Sequence, residues 1–452
     1  MGLLADLDEH GMYRSYERYV LRMEPILKAA SVRGMPIDRE RHHELSMEMK
    51  RRMDRIYEGM QQLVPTDARS LSKHKVPRVL SFTPSQQQLV RYMRFKGHPV
   101  PKDWKSDKVT TREKELLRLA RSTKDDLYQL VHDYRDAQTM LKNHLKNWTP
   151  KADGRVHPIF YNTATGQMEA RRPNVMNAPN HKESQKGFRG IVVASPGHTI
   201  LELDYSGFHA LYLAWESGDK AMERLTRMDI HSYLTAHFLR LPDADRALGW
   251  DDEKLRAWLA TIKRDYKAVR NAKVKHALLG YNNGMGWRKL FNQYREFFDK
   301  MEEAKRIMGL LDSLFPEAAR FRARMRQEAH EKGFIQSRFG CVRFFWEVYK
   351  YQGGKWSHGV DAEAAISFIQ QNHAHCHLKD VMLQLEDEGW LERARFMTPE
   401  HDSLKFECPL ELLEEAKVHI REVMEAPNPT SGLAVGTEMK VGRSWGEMEV
   451  VR

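Results

Sequence analysis

Two aspartates stand where apolar runs stop. Asp204 follows Ile200–Leu203 in "TILELDYSGFHALYLAWESGD". Asp402 sits in "RARFMTPEHDSLKFECP", which reads as a hairpin with His401 and Asp402 at its tip. Taken singly, an aspartate after a strand serves as a turn or a helix cap. Two carboxylates at adjacent strand ends have another use. They bridge two divalent cations roughly 3.5–4 Å apart, the arrangement that serves in-line phosphoryl transfer. Mg²⁺ suits such a pair, because it takes oxygen ligands and keeps waters that phosphates displace. His209 follows Asp204 on the first turn of a helix-compatible segment. Lys273 and Lys275 in "AKVKHALLGYNNGMG" share a helix that either faces phosphates or is simply solvated. "HAHCH" puts His373 and His377 at i, i+4, a zinc-like spacing, but no Glu follows His373 as in HExxH.

The elements that must carry these groups are legible in outline. Residues 13–62 read as helix interrupted at Gly34 and Pro36, with Asp38 as the second N-cap. The stretch 63–108 is richer in Pro, Ser and Lys and reads as loops around short helices, and 110–147 as an amphipathic helix. "RGIVVASPGHTILELDYS" predicts two strands joined by a Pro-Gly turn. Residues 208–350 are mainly helical, and 353–386 predicts one further helix. The hairpin around Asp402, a helix over 409–425 and a strand-like end complete the chain. The basic runs "KRRMDRI" (50–56) and "SKHKVPR" (72–78) are either solvated faces or phosphate contacts.

Composition sets the class. The 452 residues carry 73 Lys and Arg against 62 Asp and Glu, a net charge of +11 that points toward a polyanion. With 41% hydrophobic and 30% charged residues the chain reads as soluble and globular, and its length suggests several subdomains. No apolar run approaches the roughly 20 residues of a membrane span. The charged N-terminus is no signal peptide, so the expected location is the cytoplasm, or the host cytoplasm for a viral protein. Three separated cysteines, with no CxxC pair, argue against a disulfide framework.

The motifs, taken in order, resemble those of the family A DNA polymerases. "DYSGFHALYLAWESGD…MDIHSYLTAHF" is similar to motif A, "AKVKHALLGYNNGMG" to motif B, and "EHDSLKFECP" to motif C. "TATGQMEARRPNVMNAPN", "FPEAARFRARMRQEAHEKGFIQSRFG" and "AEAAISFIQQNHAHCHLKD" also match, and "RMEPILKAASVRGMPIDRE" resembles the approach to the thumb. The resemblance implies an α+β right-hand polymerase fold with an antiparallel-sheet palm and largely helical thumb and fingers. It places an N-terminal segment and thumb at 1–150, the palm at 151–230 and 351–452, and the fingers at 231–350. The thumb match starts near Met1, so no exonuclease activity is expected. That compactness resembles phage or mobile-element polymerases.

Carried over residue by residue, the resemblance makes Asp204 and Asp402 the catalytic, metal-binding aspartates, with the Tyr205 backbone carbonyl beside them. Two Mg²⁺ ions are implied, with Mn²⁺ able to substitute. His231 helps to hold the incoming nucleotide. Anchoring motif B on its glycines makes Lys275 the triphosphate lysine, with Leu279 and Asn283 one and two turns onward; anchoring on Tyr281 would make it Lys273. The upstream arginine then falls on Asn271, with Arg270 beside it as the candidate. Primer–template contacts are expected from Arg171, Arg172, Asn174, Asn177, Arg343, Gln371 and His401, combining phosphate neutralisation with minor-groove contacts that accept any base pair. The HAHCH histidines become DNA-facing or packing residues.

The departures are local. Most of the family has Glu at His209 and Tyr at Asn283, a pair that screens the sugar 2′-hydroxyl; His and Asn can hydrogen-bond one another instead. Leu211 stands for an arginine, Leu279 for an aromatic residue, and Ser403 for a glutamate. The expected function is template-directed extension of a primer 3′-OH with dNTPs, with altered sugar discrimination. Partners are primer–template DNA and dNTPs, with a separate processivity or exonuclease protein conceivable and no membrane. A single-subunit RNA polymerase-like enzyme is the alternative, and an inactive primer–template-binding scaffold is a third.

Overall fold

The computed structural model describes residues 7–8, 11–72, 78–103, 106–179 and 187–451. Residues 73–77 of the second basic run therefore lie outside the described residues. Helix α1 (Met23–Arg33) stops at Gly34, whose φ of 67° suits glycine, and α2 (Arg39–Leu63) begins after Asp38. The Asp38 carboxylate accepts the N–H groups of Glu40 and Arg41, as expected of an N-cap. The 110–147 stretch is broken where one helix was expected. Lys124 takes a left-handed φ of 57° between α3 (Glu113–Thr123) and α4 (Asp126–Thr139). The break lets both helices bury apolar faces (Leu116, Leu119, Leu127, Val131) against Tyr92 and Phe82 in one small core.

The central sheet has five antiparallel strands. In chain order these are β1 (His198–Tyr205), β2 (Phe396–Glu400), β3 (Ser403–Pro409), β4 (Thr437–Ser444) and β5 (Glu447–Val451), arranged β2-β3-β1-β4-β5. Strand β1 lies in the middle, covered on both faces, which explains its near-continuous apolar run. The expected partner strand in "RGIVV" does not form. Residues 189–191 make a tight helical turn, and Val192 and Val193 make only isolated bridges, to Ile37 and Ser444. The segment crosses from helix to sheet, so its backbone bonds are divided between two elements.

The helix expected over 353–386 begins later. Gly353 and Gly354, both at positive φ, form the two-residue turn of a hairpin between Tyr349–Gln352 and Lys355–His358. The long helix α5 starts only at Ala362 and runs to Asp387. It is buried on nearly every side, so its polar residues need partners. They tie the molecule together. Gln370 donates to the Asn282 carbonyl, Asn372 to Thr165 (3.2 Å), Lys379 to Tyr19 (3.2 Å), and Asp380 pairs with Arg18 (2.7 Å). A second large core, from Ala210 to Ile369, packs separately from the one beneath the sheet. Among the described residues no helix is long and apolar enough to cross a membrane.

Candidate active site

Antiparallel register brings the two aspartates together. Asp204 is paired with Ser403, the residue after Asp402, and the Tyr205 N–H donates to the Asp402 carbonyl at 3.2 Å. Their carboxylates thus issue from neighbouring strand ends. Burial, and then the charge of Asp402, pushes Asp204 up to about 6, while Lys405 opposes the rise. Two like charges so placed call for cations. Asp402 Oδ1 is buried, and His209 Nε2 nearby makes no aligned hydrogen bond to it, so its lone pairs stay unsatisfied without a further ligand such as a metal ion. The donor set, carboxylate oxygens beside a backbone carbonyl, fits Mg²⁺ or Mn²⁺.

The turn after Asp204 is made by Ser206 and Gly207. Gly207 sits at φ 66°, and a Cβ there would meet Thr226 Cγ2 at 2.9 Å. That turn launches the helix Phe208–Ser217, and His209 on its first turn swings back over the hairpin tip. His209 Nε2 lies 3.0 Å from Asp402 Oδ1 as an ion pair. Burial disfavours the imidazolium, but the Asp402 charge outweighs it and holds His209 above the usual histidine range. In Asp402 burial is likewise overcome, chiefly by His209, so that its carboxyl stays below the usual range. The pairing of His209 with Asn283 is not formed. Asn283 Oδ1 instead accepts from Gln371 Nε2 at 2.8 Å, and Asn283 Nδ2 donates to the Leu279 carbonyl.

A cavity of about 530 Å³ opens beside this group. His209, Asp402, His231, Arg270, Lys275 and Leu279 line it, as does Asn282 where Asn283 was expected. Lys273 does not; it is bound to Glu303 at 3.0 Å. The arginine is explained by the helix geometry. Arg270–Val274 form a wider π-turn ahead of the helix Lys275–Asn282. One residue added to the turn rotates Arg270 toward the face that simple counting gave to Asn271. Arg270 is held by Asp229 (2.7 Å) and Ser232 (3.1 Å). Burial, then Arg270, lowers His231 to about 4, so it stays neutral at neutral pH. Burial and Arg270 also lower Lys275.

The other expected contacts come from several elements. Arg171, Arg172, Asn174 and Asn177 are exposed, and Arg171 lies over the Tyr161 ring. Asn174 Oδ1 accepts from the Asn177 N–H at 3.3 Å, ordering that loop. Arg343 lies over Phe345, and exposed His401, at φ 52°, meets Gln167 Nε2 at 3.3 Å. The HAHCH histidines turn inward. His377 Nδ1 meets the Tyr212 hydroxyl at 2.8 Å, His373 Nε2 accepts from the Arg338 N–H, and His375 packs edge-on against His209. Three residues escaped the sequence reading. Asp229 was seen only as the neighbour of His231, yet it caps that helix and holds Arg270. Arg256 and Lys263 line the cavity from the helix Asp252–Asp265; with Leu259 and Ala260 they follow an i, i+3, i+4, i+7 spacing that could have revealed them.

A family model, DNA polymerase family A, matches residues 39–447. The thermostable DNA polymerase I of Thermus filiformis is 25% identical over 441 residues, covering 96% of this chain and 48% of that protein. DNA polymerase I of Pseudomonas aeruginosa is 24% identical over 377 residues, covering 81% and 38%. The chain thus spans less than half the length of these relatives. The POL domain of Pol1 from M. smegmatis, solved in complex with DNA primer-template and dNTP, superposes with a TM-score of 0.79 at 20% identity. That match covers 98% of this chain and 73% of the other. The antiparallel palm-like sheet and its helical flanks are therefore the right-hand polymerase fold.

Proposed function

The chain belongs to DNA polymerase family A, and from that membership we propose that it extends a primer 3′-hydroxyl with dNTPs under the direction of a DNA template. The observation that carries the reading is the meeting of Asp204 and Asp402 at neighbouring strand ends, beside a cavity lined with cations. In the reaction the primer O3′–Pα bond forms, the bond from Pα to the bridging oxygen breaks, and pyrophosphate leaves. Asp204, Asp402 and the Tyr205 carbonyl would hold divalent cations, which would supply Lewis-acid activation of the hydroxyl and charge neutralisation at the leaving group.

The protein's own residues do the placing. Lys275 and Arg270 draw the triphosphate along the fingers helix, and neutral His231 hydrogen-bonds it. Leu279 lies where the sugar and base would pack, and His209 beneath the sugar. Arg171, Arg172, Asn174, Asn177, Arg343, Gln371 and His401 would receive the primer–template. In this reading 1–150 is the approach and thumb, 151–230 with 351–452 the palm, and 231–350 the fingers; no proofreading is assigned to these residues. Primer extension is the test. Asp204→Asn and Asp402→Asn should each lower the rate by about 10³-fold or more, and unchanged extension in either would overturn the reading.

Because His209 pairs with Asp402 rather than with Asn283, sugar selection cannot work through the family's Glu–Tyr contact. We infer weaker rejection of ribonucleotides. Single-nucleotide insertion of dATP and ATP opposite template dT reads this directly. A preference for dATP as strong as that of a Glu-bearing family member would refute it.

A further inference from the structure

The helix Asp252–Asp265 has four cations on several faces, and two are already engaged. Lys254 lies 4.2 Å from the Trp250 ring centroid, and Arg264 pairs with Asp265 at 2.6 Å. Arg256 and Lys263 differ: among the described residues neither has an ion pair, and both line the cavity that holds Lys275 and Asp402. They stand two turns apart on one face, so both reach the same wall. Each is exposed, and a solvated cation needs no partner. Here, however, they converge with Lys275, which is also unpaired and whose charge is disfavoured by burial, then by Arg270, and also by Lys263. Positive charges gathered around one concavity, with Asp229 already committed to Arg270, leave the cavity short of an anion.

We propose that Arg256 and Lys263 form a second phosphate-binding wall, which grips the β- and γ-phosphates of the incoming nucleotide and then the pyrophosphate product. The site rests on the proposed polymerase reading, because that reading supplies the ligand. Asp402 lines the cavity as well, so a triphosphate with its α-phosphorus at the aspartates leads its tail between two cationic helices. Lys275 takes one side and Arg256 with Lys263 the other. The competing occupant is a phosphate of the template strand. The nucleotide is favoured because the two residues line the same cavity as His231, Arg270, Lys275 and Asp402, where the triphosphate tail is expected.

The test titrates dATP, and separately inorganic pyrophosphate, against the intact protein without primer, and measures primer–template affinity and dATP KM in parallel. Replacing Arg256 and Lys263 together by Gln should weaken dATP and pyrophosphate binding by about 5- to 50-fold and raise KM alike. The primer–template Kd should stay within about twofold. The charge-conserving pair Arg256→Lys with Lys263→Arg should restore most of the affinity. Unchanged dATP binding in the Gln pair overturns the proposal. So does a loss confined to primer–template affinity, which would assign the wall to the template backbone. Failure of the wild-type protein to extend any primer would count against the polymerase reading alone, because the titrations need no turnover.

Discussion

His209 Nε2 stands 3.0 Å from Asp402 Oδ1, so the histidine on the first helical turn after Asp204 is ion-paired to an aspartate of the candidate metal site. The imidazole offsets the charge crowding between Asp402 and Asp204. Replacing His209 by Ala leaves the Asp402 carboxylate without that partner. The variant should lose about 1–2 kcal/mol of stability in EDTA, between the values for exposed and fully buried pairs. Added MgCl₂ should then raise the variant's Tm more than that of the wild type. His209→Glu, which restores the usual family residue, should destabilise further in EDTA because it sets a third carboxylate against the pair. Thermal melts with and without Mg²⁺ decide this, and equal Mg²⁺ shifts in all three proteins would contradict it.

Lys405 is the buried counter-ion below the site. It is fully buried, lies 2.6 Å from Glu400 and 3.4 Å from Glu202, and donates to Ser403 Oγ at 2.8 Å. Lys405→Met fills the space but takes the ion pair from buried Glu202 and leaves Glu400 with Arg189 alone, at a cost of about 3–5 kcal/mol. It also removes a charge that restrains Asp204, whose pKa should climb beyond about 6. Denaturant melts should show the stability loss. If the variant is as stable as wild type, Lys405 is no counter-ion.

The site's position in the fold was readable because strands and carboxylates announce themselves locally. Apolar runs ending in Asp204 and Asp402 are short-range patterns, and the Asp38 cap depends only on its neighbours. What escaped depends on geometry that no spacing rule records. The π-turn at Arg270–Val274 moves a side chain by part of a helical turn. Lys124 breaks a helix through one left-handed residue that is not glycine. The Gly353–Gly354 hairpin was open to recognition, since paired glycines are the usual signal of such a turn, yet the following helical pattern masked it. The partner of His209 was misjudged because the choice between Asn283 and Asp402 is set by long-range packing of the helix Ala362–Asp387, whose Gln371 takes up Asn283.

Cys341 should be the reactive thiol. Its Sγ lies 3.7 Å from that of Cys376, and this hydrogen bond, against the opposing effect of burial, lowers it to about 7. Burial instead pushes Cys376 well up and Cys408 to about 11. Because the thiolate is the nucleophile, iodoacetamide labelling of Cys341 should rise through about pH 7 and level off above it. Cys376 and Cys408 should remain unlabelled in the folded protein. Peptide mapping across pH 5.5–8.5, a range set around that midpoint, reads the order; labelling of all three at similar rates would rule it out.

Acid should loosen the molecule at Glu407. This buried residue of β3 pairs with Arg155, accepts from Ser195 Oγ (2.5 Å) and Ser195 N–H (3.0 Å), and so fastens the sheet to the chain on both sides of it. Burial alone would raise its pKa, but the hydrogen bonds from Arg155 and Ser195 win and hold it below the usual carboxylate range. A carboxyl depressed in the folded state contributes stability above its unfolded pKa, about 4.3, and loses that contribution as pH falls through the lower folded value. Glu407→Gln keeps the shape and removes the charge. It should therefore cost about 1–3 kcal/mol at pH 7. That cost should shrink steadily below about pH 4, where the wild-type carboxyl is itself becoming neutral. Urea unfolding of both proteins from pH 7 to pH 3 measures the gap; a gap that stays constant or widens toward acid would show that the charge on Glu407 does not hold this junction.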